Sequence, residues 1–184
     1  MRLEDNQYED IKLAVIDNFI EYGIKCVPIS GFEMATKMGI KIIPYSALNS
    51  EKKQAATKVS EDGFSIETTS SSWTIYYNDE CNSYGRINQT IMHEVGHYVL
   101  GHIPEETGEV EEAEAVFFAK YALAPPPLIH NMDKPVNVLN IMETFDISYQ
   151  AALIAFGYYN NWLQYGSTEY TDYELKLLEL FQVA

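Results

Sequence analysis

The chain has 184 residues, a net charge of −15 and a pI near 4.5, a length that suits one domain with one core. With 47% hydrophobic and 13% aromatic residues it is not a disordered chain, and no apolar run is long enough to cross a bilayer. The acidic balance excludes direct, non-specific binding to nucleic acid, because phosphates need a cationic surface.

The first residues are acidic and carry no apolar core segment, so they are not a signal peptide. Apolar positions across residues 8–22 have helical spacing, and Gly23 is a stop signal. Residues 24–29 read as a short extended piece holding Pro28. Cys26 and Cys81 are too few for a disulfide framework and read as reduced thiols, which places the protein in the cytoplasm. Ser30 caps a second helix through Lys37, ended by Gly39. Residues 40–44 form a strand closed by Pro44, and 48–59 a weak helix with a polar, lysine-bearing surface. Alternation over 64–68 and 73–78 predicts two antiparallel strands joined through Ser70-Ser71-Ser72. A polar loop over 78–85 leads to a helix from about Arg86 to Leu100, with Gly101 as its cap. The next helix opens on Glu109, Glu111, Glu112 and Glu114, a charge placement that complements the helix dipole, and Pro125-Pro126-Pro127 forbids its continuation. His130 falls in an exposed loop after those prolines.

Two apolar-periodic segments, 136–145 and 148–156, break at Asp146-Ile147-Ser148 and have a helix-turn-helix outline, with Ser148 as an N-cap. The segment has almost no basic residues, so two packed helices without DNA contact are the better reading. A last helix covers 170–181. The expected fold is α+β: mostly helical, with a small antiparallel sheet beside the helix of residues 86–100, and with 1–184 as a single domain in which 10–125 is the core and 126–184 a helical C-terminal part.

That helix carries the chemistry. In His93-Glu94-Val95-Gly96-His97 the two histidines are four residues apart and project from one helical face, where two neutral imidazoles can grip one metal ion. Glu94 is spaced to take a proton from a water beside that ion, as general base. The plainer alternative is a buried helix with two hydrogen-bonded histidines. A site of this kind needs a third protein ligand. His102, five residues after His97, lies on another side of the helix, just past its end, and reads as a helix-end residue, with support of the site from outside as the lesser alternative. Glu111, Glu112 and Glu114 all qualify by distance along the chain, and helical geometry does not choose among them.

The segment Glu112-Ala113-Glu114-Ala115-Val116-Phe117-Phe118-Ala119-Lys120-Tyr121-Ala122-Leu123-Ala124-Pro125 resembles the second signature of the ImmA/IrrE-type metallopeptidases, Glu-x-x-Ala-Asn/Asp followed by Phe-Ala, Leu and Pro. Asn78, Arg86 and the Phe145-Asp146-Ile147-Ser148-Tyr149-Gln150-Ala151-Ala152 element extend the likeness over about residues 10–160. The resemblance implies a zincin-like domain with His93, His97 and Glu112 as metal ligands and Glu94 as the catalytic base, of the gluzincin-like kind. It implies Zn²⁺, although the donor set also accepts Mn²⁺ or Fe²⁺. It implies a protein substrate, a helix-turn-helix repressor of the same mobile element, phage or stress regulon, cut to relieve repression. Trp73 to Tyr77 reads either as the edge strand on which an extended substrate pairs or, at least as readily, as an ordinary core strand. In the family Asn or Asp stands four residues after the ligand glutamate, where it orients a histidine. This chain has Val116 there, so that support comes from elsewhere or the site is weaker. A weaker site leads to the alternative function, a binding module that sequesters a transcription regulator around a structural or vestigial metal site.

Overall fold

The computed structural model describes residues 2–67, 72–80, 83–103, 106–166 and 168–183. Helix α1 (Asp5–Tyr22) opens in a capping box, with Gln7 Oε1 accepting the Glu4 N–H at 2.9 Å, and stops at Gly23. Ser30 caps α2 (Gly31–Lys37) by accepting the Glu33 N–H. The stretch 24–29 between them pairs with no strand and is a bent loop. β1 (Lys41–Pro44) follows, then a 3₁₀ turn (Tyr45–Ala47) and α3 (Ser50–Val59), capped by Asn49.

β2 (Gly63–Glu67) and β3 (Trp73–Tyr77) pair antiparallel, as their alternation predicts, while the residues 68–71 expected to join them lie outside the described residues. β1 adds to the far side of β3 in parallel, so the sheet is mixed, in the order β1-β3-β2. Of the two readings of β3, it is the core strand and not the edge strand. Its Trp73, Thr74 and Ile75 are all buried, the pattern of a central strand, and β2 has the free flank instead.

Helix α4 (Tyr84–Val99) starts slightly before residue 86 because the Ser83 hydroxyl accepts the Arg86 N–H. Then come α5 (Glu109–Leu123), α6 (Pro126–His130), α7 (Val138–Phe145), α8 (Tyr149–Tyr165) and α9 (Asp172–Leu180). The prolines end α5 but also start α6, because proline fits the first helical turn. His130 is therefore the last residue of a helix rather than part of a loop; it is exposed, with Nδ1 2.9 Å from the Tyr159 hydroxyl. Ser148 caps α8, which runs on to Tyr165 rather than ending near 156, and α7 packs on α8. Cys26 is an exposed free thiol, and Cys81 lies outside the described residues.

The core forms where α5 lies between α1 and α4 and where α4 meets α2 and the sheet. Ile91, Met92 and Val95 of α4 are fully buried in one core with Phe118 and Ala122 of α5. Asn88 stitches α4 to the start of α2: its side chain accepts the Gly31 N–H at 2.6 Å and donates to the Ile29 carbonyl at 3.0 Å. The result is α+β and mostly helical, with the sheet beside α4. No helix is long and apolar enough to cross a membrane among the described residues.

Candidate metal centre

α4 and α5 are the most closely packed pair of elements, and Gly96 is the reason they approach so near. A Cβ there would lie 3.1–3.2 Å from Phe118 ring and Cβ atoms. With only hydrogen at that point, α5 settles against the His93/His97 face of α4 and brings its first turn over it.

His93 Nε2 and His97 Nε2 face one another at 3.1 Å. Glu112 reaches both, with Oε2 3.4 Å from His93 Nε2 and Oε1 3.6 Å from His97 Nε2. Donors about 2.1 Å from a tetrahedral centre stand about 3.4 Å apart, so this trio has the spacing of ligands around one ion. His97 is buried, His93 partly so, and Glu112 is at the open rim. Burial lowers both imidazoles, to about 4 for each, and the like charges of neighbouring rings push the same way. Both rings are thus neutral near pH 7, the form that ligates a metal. Two nitrogens and one carboxylate oxygen suit zinc and leave a coordination place for water.

The three candidate glutamates separate into three roles. Glu111 Oε2 accepts the Gly108 N–H at 3.0 Å and caps α5; backbone amides of Glu111 and Gly108 hold its carboxyl below the usual range. Glu112 faces the two rings. Glu114 Oε2 lies 3.0 Å from His102 Nε2.

Glu94 lies in the same cleft as the ligand rings and is only 7% exposed. Ser65 of β2 donates to its Oε2 at 2.6 Å. Burial raises the Glu94 carboxyl to about 7; the Ser65 hydroxyl opposes this and the negative charge of Glu112 assists it. A carboxyl poised near neutrality can both take and return a proton. Glu94, His93, His97 and Glu112 line one cleft of about 740 Å³ with Ser65 and Gln89.

A family model described as the IrrE N-terminal-like domain of peptidase M78 matches residues 35–156. The chain belongs to this family. The M78 match runs from α2 into α8 and so spans α4, α5 and the sheet, while α1 and α9 fall outside it. It is a metallopeptidase-type family, in keeping with a His-His-Glu cluster able to hold a cation. The comparison with curated proteins gave no match.

Two partners are missed or left open in a reading of this M78 chain as sequence. Ser65 is a buried hydroxyl in a strand, which calls for an acceptor. His102 leaves the helical register at Gly101, whose φ of 71° turns the chain back, so its ring meets His97 with the two Nδ1 atoms 2.9 Å apart. It sits just past the helix end as the sequence suggests, and the contact with His97 favours the lesser of its two readings, an outer partner of the site. Val116, where the family carries Asn or Asp, is 37% exposed.

Proposed function

We propose that the protein is a zinc-dependent endopeptidase that cuts a helix-turn-helix repressor. The observation that carries this reading is the meeting of His93, His97 and Glu112 within 4.8 Å, with Glu94 buried beside them in one cleft. A divalent cation held by these three side chains, Zn²⁺ foremost and Mn²⁺ or Fe²⁺ by the same donors, would acidify water and polarise the scissile carbonyl. Glu94 accepts the proton of the attacking water and delivers it to the leaving nitrogen. Ser65 holds one oxygen of Glu94, so the carboxyl meets the water in a fixed orientation. An extended substrate lies along the free flank of β2, whose Gly63, Phe64 and Ser65 line the cleft. The acidic surface favours basic partners, and DNA-binding repressors present such a face.

Incubating the purified protein with the repressor encoded beside it tests the reading. Fragments that disappear with chelator and in the Glu94→Gln variant are expected. An intact complex with no fragments would favour sequestration instead, and neither fragments nor complex would discard the proposed substrate.

A further inference from the structure

One chain of hydrogen bonds leads away from the metal cluster and reaches the first turn of α1. His97 Nδ1 meets His102 Nδ1 at 2.9 Å, His102 Nε2 meets Glu114 Oε2 at 3.0 Å, and Gln7 Nε2 donates to Glu114 Oε1 at 2.8 Å. The direction of its bonds can be followed from the far end. The Glu4 N–H occupies Gln7 Oε1, so the Gln7 amide must present its NH₂ to Glu114. A carboxylate oxygen accepts, so His102 presents an Nε2–H to Glu114. In that tautomer the Nδ1 lone pair of His102 faces His97, which donates its own Nδ1–H. What remains on His97 Nε2 is a lone pair, aimed at His93 and Glu112. The side chains of His102 and Glu114 are 7% and 20% exposed, so water competes little for these bonds.

We propose that His102, held by Glu114 and Gln7, is a positioning residue that fixes the tautomer and ring plane of His97 for metal binding, in the place of the polar residue that Val116 does not supply. This rests on the metal-site reading above. Outer partners of a ligand histidine commonly change metal affinity 10–100-fold.

The first measurement needs no variant: long-range ¹H–¹⁵N spectra of the chelated, histidine-labelled protein. The expected result is His97 protonated on Nδ1 and His102 on Nε2, with the 3.1 Å contact between the two Nε2 atoms taking its proton from His93. His97 protonated on Nε2 would overturn the proposal. The second is zinc affinity by chelator competition. His102→Ala and Glu114→Ala should each weaken zinc roughly 10–100-fold, while Glu114→Gln, which keeps an acceptor, should recover most of the loss; melting of the chelated variants reports any purely structural damage. Wild-type zinc binding with variants unchanged within twofold would overturn the positioning role alone. A wild type that binds no zinc would remove the metal-site reading and the proposal with it, a visibly different result.

Discussion

Glu94→Gln should make the metal-free protein more stable, by a margin that grows as pH rises above 4.5 and levels off above about 7. The native carboxyl is raised from 4.5 to about 7, chiefly by burial. A raised carboxyl contributes stability that is complete below its unfolded pKa and is lost as pH climbs through its folded one. Between pH 4.5 and 7 the unfolded chain releases the Glu94 proton while the native chain keeps it. At about 1.4 kcal/mol per tenfold change in proton affinity, the loss reaches about 3 kcal/mol by pH 7–8. Glutamine has the same shape, still accepts from Ser65 and never ionises, so it avoids the loss. His93 and His97 titrate in both proteins and largely cancel in the comparison. Urea unfolding in chelator, at pH 5 and pH 8, measures this: the variant should come within about 1 kcal/mol of wild type at the lower pH and exceed it by about 3 kcal/mol at the higher. Zinc should shrink the gap, since a nearby cation stabilises the carboxylate. A difference between the two proteins that is the same at both pH values would refute the argument.

Other substitutions probe the frame. His93→Ala should abolish stoichiometric zinc in the purified protein, measured by elemental analysis, and with it the rise in melting temperature that zinc gives wild type, roughly 5–10 °C at a hundredfold excess over Kd. Gly96→Ala drives a methyl against Phe118 and should cost about 1–3 kcal/mol in chemical denaturation; adding Phe118→Leu should return part of it. Gly101→Ala meets open space, so its cost of about 1 kcal/mol is backbone strain alone, read by the same melts.

The longer helices and the His-Glu-x-x-His face were legible because they rest on local periodicity and, for α2 and α8, on the caps Ser30 and Ser148, which accept an amide at the start of their helices. What local pattern cannot supply is long-range. β1 alone does not say which strand it will join, so the parallel pairing was out of reach and the place of β3 stayed open. Glu111, Glu112 and Glu114 stayed equivalent because the hydrophobic pattern of α5 has no clear single face; only packing on α1 and α4 assigns them. His102 was closer to hand than it looked. A glycine just past a helix sets up the Schellman arrangement, in which the following residue closes onto the third from the end, here His102 N–H to the His97 carbonyl at 3.0 Å. That closure brings the two side chains together.

The acid-rich opening of α5 has a practical consequence for anyone redesigning this surface. By charge alone its members are interchangeable, and trimming them looks a harmless way to lift a pI of 4.5. Yet one ties the helix end, the next confronts two imidazoles and the third grips a histidine from a neighbouring turn. Charge reduction is better begun at solvent-facing acids such as Asp5 or Glu51, where nothing in the cleft would register the change.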